Sequence, residues 1–319
     1  MASVAAEAAW DELTLSEAEY RRAGARYRQR RSTRAYLFVV PYLVPFLAFL
    51  VVPLFWSIWL SFNQGGLLDS ARFIGFRNWR QIGADTELTT SIKNTAIYAV
   101  EAIFLVFTLA LLLALLLNRY RKGSNFFKLA LYVPLLAPAV LVGLIWQFVT
   151  NYDFGLINVA FVHLGIGRLN IFGNGTTALL AIVCAEVWRG LGFWTLYFLA
   201  SLQSIPEELL DAARVDGARG FQRFRRVTVP LLKPMLLFAI VIAIIANFQV
   251  FDTVYVLTQG GPYESTSTIV WFIWKRLFQF QQTGQGYAAA VLLLAIILGL
   301  TAVSFWLLGS RRRRRPREA

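Results

Sequence analysis

Long apolar windows separated by polar and charged connections run through most of the 319-residue chain. Six windows have about the 20 mostly apolar residues that a helix needs to cross the hydrocarbon core of a bilayer. Backbone polar groups in lipid must pair within their own segment, and the alternating ten-residue pattern of a membrane barrel is absent from the sequence. We therefore predict six transmembrane helices, at Tyr36–Leu60, Thr95–Leu117, Phe127–Val149, Ala178–Leu202, Leu231–Val256 and Ala288–Leu308.

The composition agrees with an all-α membrane protein. Hydrophobic residues make up 57% of the chain and charged residues 15%, whereas a soluble protein has about 25% charged residues. A single cysteine, Cys184, and a single histidine, His163, exclude a disulfide framework and a Cys/His zinc site within the chain. Residues 1–34 are polar and lack the apolar core of a cleavable signal peptide.

The positions of the basic residues predict how the helices are oriented. Most of the 31 lysines and arginines lie in the N-terminal tail, the second and fourth connections and the C-terminal tail. The positive-inside rule places these four segments in the cytoplasm. An even number of spans also requires both termini on one side. We therefore expect a multi-pass protein of the bacterial cytoplasmic membrane with both termini cytoplasmic.

The formal charge of +13 is not read as a nucleic-acid signal. The run Arg311–Arg315 directly follows the last window, where it suits a topology anchor on an anionic membrane surface. A regulatory or partner-binding tail is the alternative. The predicted organisation is a mixed-charge tail at residues 1–34, to which no task is assigned, a membrane domain at 35–309 and a basic tail at 310–319.

The fourth connection holds a short amphipathic segment at about residues 204–218. Ser204 and Glu207 have the spacing of a capping box, Pro206 fits a first helical turn, and Gly217 can supply the left-handed residue that ends a helix. The segment predicts a helix at the membrane surface. Such a helix either lies at the lipid interface or inserts into a groove of another protein.

This segment resembles the EAA motif of binding-protein-dependent ABC importer permeases. The motif reads Glu-Ala-Ala, three residues, Gly, nine residues, then an aliphatic, any residue, an aliphatic and Pro. Here Asp211–Ala213, Gly217, Val227, Val229 and Pro230 follow that spacing. The aspartate in place of the usual glutamate keeps the charge and shortens its reach.

A second stretch is similar to carbohydrate permeases of that family. Thr258-Gln-Gly-Gly-Pro262 followed by Ser265-Thr266 resembles the first of the two permeases in maltose and glycerol-3-phosphate systems. The resemblance covers the chain except residues 1–34. It implies a type I importer fold, a second permease as partner, two ATP-binding subunits, an extracytoplasmic sugar-binding protein and a sugar as cargo.

The resemblance also implies roles for residues of the fourth connection. The EAA helix of this family docks into the ATPase and couples ATP hydrolysis to transport, which assigns ATPase coupling to Glu207, Glu208, Asp211, Ala212, Ala213, Asp216 and Gly217. None of the five lysines follows a glycine, so the chain has no P-loop. ATP and Mg²⁺ are therefore expected on partner subunits, and the chain is expected to be a non-catalytic subunit without a cofactor.

Polar residues inside membrane windows are costly and are candidate cargo-binding residues. Glu186 and Arg189 have the spacing for cargo contact or for an ion pair with each other. The amides of Asn247 and Gln249 suit either sugar hydroxyls or bonds between helices. The full set of substrate-binding candidates is Glu186, Trp188, Arg189, Gly190, Phe193, Asn247 and Gln249.

Two other classes of protein are alternatives to an importer permease. A secondary transporter or channel acting without an ATPase predicts inverted repeats and broken helices near the midplane, but gives no reason for the EAA spacing. A polytopic membrane enzyme needs clustered acids, histidines or metal ligands, which the sequence lacks. The identity of the sugar does not follow from the sequence.

Overall fold

A computed structural model describes residues 39–65, 71–120 and 123–309, and both predicted tails lie outside these residues. The chain divides into two units, Met1–Ser57 and Ile58–Ala319. Helix α1 covers Val39–Leu60. It contains the π-helical segment Leu47–Val51, whose residues are mostly exposed in the isolated chain.

The second unit is almost entirely helical. Its only sheet among the described residues is an antiparallel pair of two-residue strands, β1 (Asn63–Gln64) and β2 (Arg72–Phe73). Two short π-helical segments lie at Phe224–Thr228 and Lys275–Gln279. The helices are α2 (Arg77–Gly83), α3 (Thr86–Arg119), α4 (Ser124–Leu136), α5 (Ala139–Val149), α6 (Leu156–His163), α7 (Gly175–Gln203), α8 (Glu207–Val215), α9 (Gly220–Arg223), α10 (Val229–Phe248), α11 (Asp252–Leu257), α12 (Ile269–Trp274) and α13 (Thr283–Gly309).

The predicted membrane helices are present. Five helices in the described part of the chain are long and apolar enough to cross a membrane, and there are six if the bent pair α4–α5 counts as one span. Several of these helices are longer than the predicted apolar windows, because polar residues add further helical turns at their ends. Helix α3 begins at Thr86, where the Asp85 side chain accepts a hydrogen bond from the Glu87 amide at 2.9 Å and caps the helix.

The third window does not form the continuous helix that we predicted. Helices α4 and α5 meet at an angle of 100°. Proline disfavours helical backbone in the residue before it, and Ala137, which precedes Pro138, is extended with φ −76° and ψ 136°. The two halves therefore cannot join as one helix.

The fifth window, which we also predicted as one helix, is interrupted between α10 and α11. Phe251 departs from helical geometry, with φ −140° and ψ −57°. The carbonyl of Val250 instead accepts a hydrogen bond from the Thr268 hydroxyl at 3.2 Å. No proline or glycine marks this break. A partner 18 residues away satisfies the freed carbonyl.

Helices α3 and α7 make the most extensive helix pair in the structure. Small buried residues on α3, Ala102, Ala110 and Ala114, let it approach a wall on α7 that includes Ile182 and Phe198. Small residues allow close approach of membrane helices because association there depends on van der Waals contact. This pair forms the centre of the larger apolar cluster.

Gly192 tests the close packing of α4 on α7. A Cβ at Gly192 would lie 2.1 Å from the Leu131 carbonyl oxygen. Gly192→Ala should therefore lower the thermal unfolding midpoint in detergent, at a cost of roughly 1–3 kcal/mol for overpacking. Gly299→Ala is the matched control, since nothing lies within 4 Å of its added Cβ. It should be neutral or slightly stabilising, and equal losses in both variants would contradict this packing.

Candidate functional site

A polar cavity of about 160 Å³ lies among the long helices at the two interruptions of the membrane segments. Its walls come from α3, α7, the first residue of α5 and the segment between α10 and α11. Its lining residues are Tyr98, Ala102, Val106, Ala139, Glu186, Val187, Arg189, Gly190, Trp194, Ala246, Asn247, Gln249, Val250, Phe251 and Asp252. Irregular backbone at membrane depth is tolerated where it lines such a cavity.

Glu186 and Arg189 form an ion pair on the α7 side of the cavity. Glu186 Oε2 accepts hydrogen bonds from Arg189 Nε at 2.9 Å and Nη2 at 2.6 Å. The Glu186 side chain is 11% exposed and the Arg189 side chain 31%. The ion-pair alternative is therefore observed, and because both residues line the cavity, their contact with cargo stays a prediction.

The same carboxylate connects α7 to α11. Glu186 Oε1 accepts a hydrogen bond from the hydroxyl of Thr253, a fully buried residue in the first turn of α11. Both oxygens of Glu186 thus have protein partners, as a buried carboxylate requires. The bond fixes the start of α11 against the wall formed by α7.

The amide candidates lie at the end of α10. The Asn247 amide donates one hydrogen bond to the Ala243 carbonyl of its own helix at 2.8 Å, which leaves its carbonyl oxygen and its second N–H for the cavity. Gln249 is the residue that ends α10, and its side chain lines the same cavity. These contacts provide acceptors and donors for a hydroxylated solute.

Of the seven predicted substrate-binding residues, five line the cavity, and Trp188 and Phe193 do not. Those two side chains are exposed elsewhere on α7. Their assignment stays a prediction, without support from this cavity. Tyr98 and Asp252 also line the cavity but were not among the predicted residues. Asp252 is an acid inside the fifth window, which is a signal that the sequence contains.

Helix α8 forms the amphipathic segment predicted in the fourth connection, but the predicted capping box is wrong. The Ser204 hydroxyl donates to the Ser201 carbonyl at 2.8 Å and does not cap α8. Pro206 takes the capping position without a side-chain bond, so Glu207 is the first helical residue. A capping box needs its glutamate two residues further into the helix.

The end of α8 follows the prediction for Gly217. This glycine has φ +78°, and its amide donates to the Arg214 carbonyl at 3.0 Å. The Ala218 amide donates to the Ala213 carbonyl at 2.9 Å. The two bonds form a Schellman motif, which needs a left-handed residue at this position.

One face of α8 is packed and the other is free. Ala213 is buried and Leu210 packs against the main apolar cluster. Asp211 forms an exposed ion pair with Arg214 at 2.5 Å. The predicted coupling residues other than Ala213 are exposed, namely Glu207, Glu208, Asp211, Ala212, Asp216 and Gly217.

Membrane helices that break around a polar cavity are a feature of membrane transport proteins. Residues 106–315 match the model of the family described as binding-protein-dependent transport system inner membrane components. The chain belongs to this family. The prediction of a multi-pass, non-catalytic transport subunit is thereby confirmed.

Relatives of known assignment agree with this family. The trehalose/maltose transport system permease protein MalF of Thermococcus litoralis is 32% identical over 280 residues, which cover 88% of this chain and 95% of that protein. The sn-glycerol-3-phosphate transport system permease protein UgpA of Agrobacterium fabrum is 31% identical over 275 residues, covering 84% of this chain and 94% of that protein.

A solved structure shares the fold. A chain of a bacterial alginate ABC transporter, crystallised in complex with its alginate pentasaccharide-bound periplasmic protein, matches with a TM-score of 0.78 at 23% identity. The match covers 89% of this chain and 96% of that chain. The predicted type I importer permease fold is confirmed. The described residues hold no group of His, Cys, Asp and Glu suited to a metal ion.

The ion pair on α7 predicts a non-additive mutant cycle. Removing one partner leaves the other charge unpaired in a mostly buried place, which costs more than removing both. Glu186→Gln and Arg189→Met should each lower thermal stability in detergent, and the double variant should lose less than their sum, with a coupling energy of about 1–3 kcal/mol. Additive losses would contradict an energetically important pair.

Proposed function

We propose that this chain is the membrane-spanning permease of an ATP-driven importer, and that its cargo is a sugar delivered by an extracytoplasmic binding protein. The observation that carries the proposal is the form of the EAA-like segment. It is a short helix that keeps Ala213 buried and leaves its acids exposed. A helix anchored on one side and acidic on the other suits a groove of a partner protein.

The cargo assignment draws on relatives and on the chemistry of the cavity. Permeases for trehalose/maltose, arabinooligosaccharides and glycerol-3-phosphate resemble this chain along most of its length. Amide and acidic groups from Asn247, Gln249 and Asp252 meet in the cavity. Such groups bond hydroxyls well, which fits a saccharide of the disaccharide, oligosaccharide or glycerol-phosphate class.

The proposal includes further subunits. The cavity is only partly enclosed by this chain, which supports a second permease that completes the pathway. Two cytoplasmic ATP-binding subunits would hold ATP and Mg²⁺ and receive α8 and its counterpart. The coupling residues in this chain would be Glu207, Glu208, Asp211, Ala212, Ala213, Asp216 and Gly217.

The proposed orientation has both termini in the cytoplasm. Leu117 and Asn118 near the end of α3 line a cleft together with Glu207 and Leu210 of α8. The second and fourth connections, both rich in basic residues, therefore lie at the same end of the bundle. This agrees with the positive-inside reading. The proposed domain organisation keeps residues 1–34 and 310–319 as cytoplasmic tails.

A secondary transporter or channel acting alone remains the competing function. Its support is the pair of interrupted helices around the cavity, because broken helices line the sites of such transporters. It gives α8 no task, however, and it does not need an exposed acidic helix on a cytoplasmic connection.

Reconstitution separates the two functions. The chain assembled with its second permease, ATP-binding subunits and binding protein should take up sugar into proteoliposomes only when ATP is present on the ATPase side. A hydrolysis-deficient ATPase serves as the control and should abolish uptake. Uptake by the chain alone, without ATP, would establish the competing function instead.

Gly217 tests the coupling role of α8. Gly217→Val forces a β-branched residue into a left-handed conformation and should reduce ATP-driven uptake by roughly tenfold or more, while the ATP-binding subunits still hydrolyse ATP. Gly217→Asn is the matched control, because asparagine tolerates this conformation, and it should stay near the wild type. No atom lies within 4 Å of a Cβ added at Gly217, so neither side chain would clash with the protein. Equal losses of uptake in both variants would therefore contradict a role for the left-handed backbone.

A further inference from the structure

A cluster of five aromatic side chains lies beside the cavity on α11, α12 and the π-helical segment after α12. We call it the aromatic track, and it consists of Phe251, Tyr255, Trp271, Trp274 and Phe278. We propose that the accessible part of this track, at Tyr255, Trp274 and Phe278, is a carbohydrate-binding site that extends outward from the cavity and holds neutral sugar rings by stacking. The buried Trp271 supports these rings from within the protein. The inference rests on the proposed function and extends it.

The rings form a continuous series. Phe251 and Trp271 stack with centroids 6.3 Å apart and planes at 28°. Trp271 and Trp274 stack at 5.1 Å and 15°. Phe278 follows Trp274 at 6.2 Å, and Tyr255 lies 5.5 Å from both Phe251 and Trp274.

The inner end of the track is part of the cavity. Phe251 lines the cavity beside Asp252. The Tyr255 amide donates to the Phe251 carbonyl at 2.8 Å, so Tyr255 stands one helical turn further along α11 on the same side. The lining face of α11 therefore continues from the cavity as an aromatic surface.

The outer end of the track lies away from α8. Lys275, which follows Trp274, pairs with Glu87 at 2.5 Å in the first turn of α3. Arg276 pairs with Asp85 and Glu87 at the same helix end. The other end of α3 meets the cleft beside α8. The track thus runs from the cavity toward the end of the bundle from which a delivered sugar would enter.

The track is fixed rather than adaptable. The Thr268 hydroxyl caps α12 by accepting from the Trp271 amide at 3.4 Å, and it also donates to Val250 at the α10–α11 break. A Cβ at Gly260 would lie 2.6 Å from Trp271 Nε1, so the preceding loop covers that indole closely. Preorganised rings lose little entropy when a ligand stacks on them.

Saccharide is the ligand chemistry that fits this surface. One face of a pyranose presents a plane of weakly positive C–H groups, and an aromatic face carries negative charge. Aromatic side chains at a membrane boundary can instead serve as interfacial anchors. Against that use, the exposed rings of Tyr255, at 42%, and Phe278 belong to a row that starts at Phe251 in the cavity. Trp271 is 6% exposed and stacks on Phe251 and Trp274, so its role is to hold the row in place.

Substitutions at Tyr255 and Trp274 test whether sugar binding needs an aromatic face or only the apolar volume of the side chain. Leucine retains apolar volume but has no aromatic face, whereas phenylalanine retains the face. The complete transporter, with all its subunits, is reconstituted and screened with neutral disaccharides and the linear hexasaccharides built from them. Uptake is then measured against sugar concentration for Tyr255→Leu, Tyr255→Phe, Trp274→Leu and Trp274→Phe.

The leucine variants should raise the half-maximal hexasaccharide concentration about three- to tenfold and change the disaccharide value by less than about twofold. The phenylalanine variants should behave like the wild type. Trp306→Leu is the control for loss of an indole and should have no effect. Trp306 is an exposed tryptophan near the C-terminal end of α13.

The outcomes distinguish the track from the proposed function. Wild-type uptake with unchanged leucine variants overturns the track and leaves the sugar importer intact. Equal losses for both sugar lengths, or equal losses in the leucine and phenylalanine variants, also overturn it, because a structural role would not depend on sugar length or on the aromatic face. Absence of wild-type uptake for every saccharide in the screen contradicts the proposed function itself.

Discussion

A peptide group in hydrocarbon has no water to bond, so each backbone N–H and C=O of a membrane segment needs a partner inside the protein. This constraint produces the long helices, and it also determines where they can stop. The break after α10 is possible because the Thr268 hydroxyl bonds the Val250 carbonyl. The turn at Ala137 places Ala139 against the same polar cavity. The interruptions and the cavity therefore occur together.

The cavity holds its charges by the same principle. Glu186 accepts bonds from Arg189 on its own helix and from Thr253 on α11, so the carboxylate is balanced and fully bonded at membrane depth. The network joins the two helices that border the cavity. Asp252, the amides of Asn247 and Gln249 and the exposed part of the Arg189 guanidinium also line the cavity.

The connection between the cavity and α8, the proposed docking helix, is short. Helix α8 follows α7, which carries Glu186, after the three residues Ser204–Pro206. On its other side the chain passes through α9 and a π-helical segment into α10, which ends at the cavity. A displacement of α8 by a bound ATPase would act on both of these cavity walls. The Schellman motif at Gly217 keeps the helix end fixed, which suits the coupling role that we propose for α8.

Hydropathy and turn preferences depend on residues that are close together in the chain. The sequence by itself therefore determined the features that follow from such neighbours. It predicted the membrane helices, the amphipathic helix in the fourth connection and its left-handed end at Gly217, and the motif spacing led to the correct family. Tertiary packing decided the rest. The α10–α11 break has no local signal, because its partner Thr268 lies 18 residues away. Which side chains meet in the cavity depends on how each helix is rotated against its neighbours, so Tyr98 and Asp252 enter it while Trp188 and Phe193 stay outside.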